Sequence, residues 1–270
     1  TTEISTMSDY QRNAASAPFE QDLARTGPIA VDEGLRAYML RIYNYMMLGL
    51  AITGVAALGT YMLSVTTDPG IAALKLRDGL MLTAFGKALY VGPLKWIVIF
   101  APLALVFVLS LGVERMRPAT AQIVFWLYAA LVGVSLASIF MVFTHTSIVR
   151  VFFITAASFG AISLWGYTTQ RDLSGMGSFL LMGLFGIILA SLVSLFMASS
   201  ALQFAISVIG VVVFAGLTAW DTQRLKSEYL YVAMDGDAAE RSAIIGALSL
   251  YLNFINLFTL LLQLLGQREE

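Results

Sequence analysis

The sequence predicts an all-α membrane protein with seven transmembrane helices. Its 270 residues are 59% hydrophobic and only 12% charged, and a mean hydropathy of +0.81 is far above that of ordinary soluble domains. The charged residues are also segregated, so the long runs between them contain none. A helix needs about 20 apolar residues to cross a bilayer, and these runs supply that length seven times.

The seven helices follow in chain order from the charge-free runs. Five runs have the length of one helix each, and the run 173-220 holds two. We place the division of that run near Ala198-Ser199-Ser200, which leaves about 20 residues on either side. Within a transmembrane domain over 36-270, the predicted helices are 42-64, 95-113, 120-143, 149-168, 178-197, 202-222 and 242-266.

Two segments outside the predicted helices have their own character. Residues 1-35 are polar and lack the apolar core of a signal peptide, which predicts a flexible cytoplasmic tail. The segment Ile71 to Tyr90 mixes apolar and charged residues, and two interpretations stay open. In the first, part of the segment forms an amphipathic helix along the outer interface of the membrane. In the second, the whole segment is a solvated loop.

The distribution of Lys and Arg predicts the orientation. One set of segments carries ten of these residues and the other six, so the richer set, with the N-terminus, is predicted to be cytoplasmic. The richer set comprises Arg12, Arg25, Arg36, Arg41, Arg115, Arg117, Arg171, Arg224, Lys226 and Arg241. The C-terminus is then on the outer side.

Composition limits the chemistry. Without cysteine the chain has no disulfides, thiolate metal sites or thiol catalysis. Its 16 basic and 17 acidic residues also lack the excess of positive charge that is typical of nucleic-acid binding. The single histidine, His145, suits an interfacial hydrogen bond better than a ligand or base. We expect no cofactor and no enzyme activity. The expected partners are the lipid bilayer and, in one hypothesis below, another membrane protein.

The last helix carries a stripe of polar side chains. In the apolar stretch from Ala247 to Gly266, a helical wheel places four polar residues within a sector of roughly 80°. They are Ser249, Asn253, Asn256 and Gln263. One face of this helix is therefore predicted to contact protein or water, either as the lining of a pore or as interhelical hydrogen bonds.

Asp221 is the carboxylate best placed for chemistry. It lies where the apolar run of helix six ends, and a charge there is costly unless it is paired, hydrated or functional. If the hairpin between helices six and seven is symmetric about Asp237, then Asp221 and Asn253 lie at similar depth. An ordinary ion pair of Asp221 with Arg224, three residues on, is the alternative explanation.

These segments also resemble a known family. ALSLYLNFINLF in helix seven, AWDTQ at the end of helix six and FTHTSIVR closely resemble the transmembrane Bax inhibitor motif family, in its bacterial branch. The resemblance implies a central last helix surrounded by two layers of three helices, and a calcium leak across the membrane. It further implies an aspartate pair on helices six and seven that senses protons and calcium, and a basic latch after helix two.

Carried over by position, the first aspartate of the pair is Asp221 and the latch candidates are Arg115 and Arg117. The second aspartate falls on Asn253, which departs from the family pattern. Two close carboxylates titrate as a coupled pair, whereas an aspartate facing an amide lacks that coupling. Calcium also prefers anionic oxygen ligands. We therefore expect weakened proton sensing and only a weak calcium site at Asp221.

Three classes of function compete. The first is a calcium or cation leak channel or transporter, with Asp221 and Asn253 as sensing residues and helix seven as the pore lining. The second is a non-transporting regulator that binds a membrane protease or a respiratory complex. An intramembrane enzyme is disfavoured, since the predicted helices contain no Ser-His or paired-aspartate constellation. The resemblance places the protein in a bacterial inner membrane.

Overall fold

A computed structural model describes the backbone of residues 4-77, 79-194, 196-197 and 199-269, and side chains from residue 33 onward apart from that of Arg77. Helices dominate this part of the chain. They are α1 (Ile4–Ser64), α2 (Ala84–Tyr90), α3 (Leu94–Gly112), α4 (Pro118–Leu136), α5 (Ile139–Val142), α6 (His145–Thr168), α7 (Ser174–Ser194), α8 (Ser200–Val232) and α9 (Gly236–Leu265). A 3-10 turn, Val113–Arg115, follows α3.

Seven helical segments in this part of the chain are long and apolar enough to cross a membrane, as predicted. They are Glu33–Ser64, Leu94–Arg115, Pro118–Val142, His145–Thr168, Ser174–Ser194, Ser200–Val232 and Gly236–Leu265. Large apolar side chains cover their outer surface, among them Val55, Leu111 and Phe179, each at least 70% exposed. Such a surface is stable only against hydrocarbon, so the chain is an all-α membrane protein.

The segment 1-35, predicted as a flexible tail, falls mostly on residues whose side chains lie outside the described part, and its flexibility stays a prediction. Helix α8 continues about ten residues beyond the predicted end at residue 222. Its last three turns contain the charged residues Arg224, Lys226 and Glu228, so the helix extends beyond the apolar run from which its end was predicted.

The last helix, α9, is the most buried span. In its most apolar stretch 61% of the residues are buried, against at most 33% in any of the other six spans. It packs against α1, α4, α6 and α8. A groove of about 1280 Å³ between α1 and α6 has Phe254 and Phe258 of α9 along its wall. The last helix is thus central to the packing, while the grouping of the others into two layers of three stays a prediction.

A buried polar cluster ties α9 to two neighbours. The hydroxyls of Tyr251 and Thr53 lie 2.7 Å apart, and Thr53 donates to the carbonyl oxygen of Ala129 at 2.9 Å. The Tyr251 ring makes edge-on contacts with Phe125 and Tyr128, with ring centroids 5.8 and 5.7 Å away. Helices α1, α4 and α9 therefore meet in one aromatic and hydrogen-bonded layer.

The segment Ile71 to Tyr90 contains two strands and a short helix, so the interpretation as a plain solvated loop is wrong. The helix lies in part of the segment, as the other interpretation expects, and its place along the outer interface stays a prediction. Strands β1 (Val65–Thr66), β2 (Leu74–Arg77) and β3 (Leu80–Leu82) form an antiparallel sheet in the order β1-β3-β2, and α2 follows. Gly79 has φ of +80°, in the left-handed region that glycine favours. The Asp-Gly dipeptide at 78-79, between alternating apolar residues, is a hairpin signal that could have predicted the sheet.

The C-terminal end of α9 is attached to the start of α6. The amide of Gln267 donates to Ser147 Oγ at 2.9 Å, and the carbonyl of Gln267 accepts from the Thr144 amide at 2.9 Å. The Glu269 amide donates to the carbonyl of Val142 at 3.0 Å. These hydrogen bonds flank Phe143 and Arg268, which pair as a short antiparallel β-bridge.

Candidate functional site

The site lies in the hairpin of α8 and α9, whose turn is defined by Asp235. The Asp235 carboxylate accepts from the amides of Asp237 and Ala238, at 3.0 and 3.1 Å, and thereby caps the N-terminus of α9. Helix α8 ends three residues before this cap. The tight connection makes the two helices antiparallel neighbours and fixes which residues lie at the same depth.

Asp221 and Asn253 are in contact across this hairpin. Asn253 Nδ2 donates to Asp221 Oδ2 at 2.7 Å, and Arg224 Nη2 lies 2.8 Å from Asp221 Oδ1. Each carboxylate oxygen therefore has a donor, and one donor is cationic. The depth match expected from hairpin symmetry is present, and so is the i,i+3 ion pair that served as the alternative explanation.

Burial distinguishes this ion pair from an ordinary surface pair. The Asp221 side chain is 8% exposed, whereas that of Arg224 is 41% exposed. The guanidinium also lies 5.2 Å from the centroid of the Trp220 ring and donates to Ser249 Oγ at 3.3 Å. Arg224 thus bridges α8 and α9 and covers the buried carboxylate from the solvent side.

The polar stripe of α9 is only partly directed at α8. Besides Ser249 and Asn253, Gln263 contacts that helix, because Ser207 Oγ donates to Gln263 Oε1 at 2.9 Å. Asn256 instead donates to the carbonyl of Leu252 on its own helix at 2.8 Å. Three of the four stripe residues therefore form interhelical bonds, as the second interpretation of the stripe expects, and their role as a pore lining stays a prediction.

The latch candidates lie apart from this cluster. Arg115 ends the 3-10 turn after α3, and Arg117 precedes α4. Both side chains are exposed, and within the described part of the chain neither forms an ion pair with Asp221. Arg224 occupies the position of counterion instead, and the latch role of the other two arginines stays a hypothesis.

A second polar network lies between Arg224 and the α8–α9 turn, and no sequence pattern predicted it. Ser242 Oγ donates to Glu228 Oε1 at 2.6 Å and lies 2.6 Å from the hydroxyl of Tyr38. Next to it, Glu240 pairs with Arg41 and accepts a hydrogen bond from Tyr45. The network joins α1 to the α8–α9 turn. Only the tertiary position of α1 brings these residues together, so spacing along the chain could not reveal it.

The chemistry available at Asp221 is that of one carboxylate with an amide and a guanidinium. Among the described residues there is no group of three or more His, Cys, Asp or Glu side chains that could hold a metal ion. An Asp221 ligand set would combine one anionic oxygen with the neutral oxygens of Asn253 and Ser249. That composition suits weak and transient contact with a hard cation better than permanent coordination.

The spans and the buried ionic site define a polytopic α-helical membrane protein with a charged residue held inside the bundle. Comparison with known families then identifies it. The model of the family described as Bax1-I, inhibitor of apoptosis-promoting Bax1, matches residues 35–270, and the chain belongs to this family.

Bacterial relatives agree with the family match. The chain is 49% identical to an uncharacterized protein of Rickettsia prowazekii over 239 residues, which cover 88% of this chain and 93% of the relative. It is 42% identical over 265 residues to an uncharacterized protein of Caulobacter vibrioides, covering 98% and 100% of the two chains. The inner membrane protein YbhL of Escherichia coli is 42% identical over 237 residues, covering 87% and 94%.

Proposed function

We propose that the protein is a gated leak pathway for cations, chiefly calcium, in which Asp221 is the carboxylate that meets the ion. The observation that carries the proposal is the burial of Asp221 between α8 and the central helix α9, in contact with Asn253 and Arg224. A carboxylate inside a membrane bundle is expensive, and by default it marks an ion or proton pathway.

In this proposal the described geometry is the closed state. Both Asp221 oxygens have donors, and Arg224 covers the carboxylate on its exposed side. A cation can reach Asp221 only if it displaces the Arg224 guanidinium, which is a neighbour on the same helix. Opening therefore consists of a change of Arg224 conformation together with separation of the helices around it.

Asn253 sets the expected response to protons and calcium. An aspartate pair at this contact would share a proton and titrate as a coupled pair, but an amide contributes no second titrating group. A calcium ion would meet one negative charge here instead of two. The proposed leak is therefore weakly dependent on pH, and its ion contact is weak.

The proposed location is a bacterial inner membrane, with the N-terminus in the cytoplasm. The name of the Escherichia coli relative, inner membrane protein YbhL, supports the location. The excess of Lys and Arg on one set of segments supports the orientation. Reporter fusions at the C-terminus test it: a periplasmic reporter should be active there and a cytoplasmic one inactive.

The test is calcium flux into liposomes containing the purified chain, at about pH 6 and pH 8. Empty vesicles give the baseline, and the chain as written should exceed it with a small pH difference. Asp221→Asn should reduce the calcium rate, since the charge that attracts the ion is gone. Asn253→Asp should increase the pH dependence, because it supplies the second carboxylate.

Two results would contradict the proposal. If neither the chain nor Asn253→Asp exceeds empty vesicles, the protein is not a leak pathway. If flux is present but Asp221→Asn leaves it unchanged, Asp221 is not the ion contact. Gln263→Leu is the matched control, since it removes a polar stripe residue far from Asp221 and should not alter the pH response.

A non-transporting regulator that binds a membrane protease or respiratory complex is the second candidate. The observation in its favour is that Asp221 is fully paired, which suits a structural ion pair as well as a closed gate. Isolation from native membranes in mild detergent tests it. A stoichiometric membrane partner, together with absence of flux, would favour this function over the first.

A further inference from the structure

A second cavity lies directly beside the Asp221 site. It has a volume of about 690 Å³ and is bounded by the α6–α7 loop and the last turns of α8. Three basic residues line it, Arg171, Arg224 and Lys226, against one acidic residue, Asp172. The cavity is therefore positively charged, which neither the leak proposal nor the family resemblance requires.

Among the residues that the structure describes, two of the three cations in this cavity have no anionic partner. The Lys226 ammonium contacts two neutral groups, the carbonyl of Tyr167 at 3.2 Å and the Tyr167 ring at 5.1 Å. The side chain of Arg171 makes no hydrogen bond or ion pair within the described part of the chain. Gln223 holds the loop in place, since its Nε2 donates to the Arg171 carbonyl at 2.7 Å and its Oε1 accepts from the Leu173 amide at 2.8 Å.

The one acidic residue of the cavity is already bonded. Asp172 Oδ1 accepts from the amide and the hydroxyl of Ser174, at 2.9 and 2.5 Å, at the start of α7. Asp172 is therefore directed at the N-terminus of α7 and does not neutralise Arg171 or Lys226 through contact. Two cations without an anionic partner in the described part of the chain, one on the fixed loop and one on α8, are suited to bind an anion.

The depth of the cavity in the membrane indicates which kind of anion is available to bind there. The charge-free runs 151-170 and 173-220 both end at the cavity, so it lies where the hydrocarbon layer gives way to the headgroups. Its rim toward the membrane is apolar, because the half-buried Trp220 lies at the end of the apolar run of α8. Basic pockets between spans at this level are suited to anionic lipid headgroups.

We propose that Arg171 and Lys226, with Arg224 behind them, form a binding site for the phosphate of an anionic phospholipid headgroup. Trp220, on the membrane side of these cations, contacts the glycerol and the first carbons of the acyl chains. A free phosphate ion would use the same cations but not the apolar rim, so the rim favours the lipid as the source. The site stands independently of the leak proposal, because it concerns binding alone.

Native mass spectrometry of the full chain, released from nanodiscs of equal phosphatidylglycerol and phosphatidylcholine content, tests the site. The unmodified chain should retain phosphatidylglycerol in preference. Arg171→Gln with Lys226→Gln should weaken that preference roughly 10- to 30-fold, from the contribution of each basic side chain near anionic lipid. Arg115→Gln with Arg117→Gln is the matched control, with the same charge loss in a different loop and the preference retained.

A conservative variant guards against loss of fold. Lys226→Arg keeps the charge and should retain the preference, with a melting temperature like that of the unmodified chain. Equal retention of the two lipids, or equal loss in both double variants, would overturn the proposal. Stabilisation of the chain by glycerol 3-phosphate or inorganic phosphate as strong as that by short-chain phosphatidylglycerol would overturn the lipid as the ligand and leave a free-anion site.

Discussion

Asn253 Nδ2 donates a 2.7 Å hydrogen bond to Asp221 Oδ2, and this bond joins the two most distinctive polar positions of α8 and α9. Both residues are buried, at 5% and 6% exposure. A single amide therefore satisfies one oxygen of a carboxylate that has no access to bulk water on that side. The pairing makes Asn253 a structural partner of Asp221, independently of any transport function.

Loss of this amide should cost stability. Asn253→Leu leaves one oxygen of the buried Asp221 carboxylate without a donor, and we expect the free energy of unfolding to fall by about 1-3 kcal/mol. Denaturant unfolding in mixed micelles measures it. Asn256→Leu is the control one turn away, because Asn256 bonds only a carbonyl of its own helix and should cost clearly less. Equal losses would contradict the assignment.

Two glycines of α6 should respond oppositely to the same substitution. A Cβ on Gly166 would lie 2.4 Å from the carbonyl oxygen of Ala219 on α8, whereas a Cβ on Gly160 meets no atom within 4 Å. Gly166→Ala should therefore destabilise by about 1-3 kcal/mol through forced backbone shifts. Gly160→Ala should stabilise by up to about 1 kcal/mol through helix propensity. Melting temperatures that shift in the same direction would contradict this difference.

The Tyr251 hydroxyl should contribute measurably to the contact of α9 with α1. Tyr251→Phe removes the bond to Thr53 but keeps the aromatic contacts, so we expect a loss of about 0.6-1.5 kcal/mol. Tyr231→Phe is the matched control, since that residue is 87% exposed and should cost nothing detectable. The same unfolding assay applies. An unchanged Tyr251→Phe variant would mean that the Thr53 contact contributes no net stability.

The start of α7 should weaken in acid. Hydrogen bonds from the Ser174 hydroxyl and amide hold the pKa of Asp172 below its ordinary value. Because the folded-state pKa is the lower one, the stabilising effect is complete above the ordinary pKa and is lost as pH falls through the depressed value. Amide exchange at Ser174, corrected for its intrinsic pH dependence, should therefore lose protection in acid. Asp172→Asn should remove that pH dependence, and a persisting one would assign it elsewhere.

The spans could be predicted from the sequence because their signal is local. Charge-free length alone determines where a helix can cross a bilayer, and the short turn at Asp235 makes α8 and α9 neighbours. The proximity of Asp221 and Asn253 follows from those two facts. The family pattern then adds the expectation that the last helix is central, which its burial and its four neighbouring spans support.

The partners of side chains could not be predicted in the same way. Helical periodicity predicts that Asn253 and Asn256 share a face, but their different hydrogen-bond partners depend on the exact approach of α8. Gly160 and Gly166 look alike in sequence, and only the position of α8 separates them. The bond between Tyr38 and Ser242 joins residues 204 positions apart, a separation that no local pattern encodes.

The attachment of the last helix at both ends has a mechanical consequence. The bonds of Ser242 to Tyr38 and of Glu240 to Arg41 tie its beginning to α1, and the backbone bonds of Gln267 and Glu269 tie its end to the residues at the start of α6. Because the helix is bonded at both ends, it cannot shift along its axis without breaking the hydrogen bonds at one of them. We therefore expect α9 to keep its axial position in any conformational change, and the helices around it to move instead.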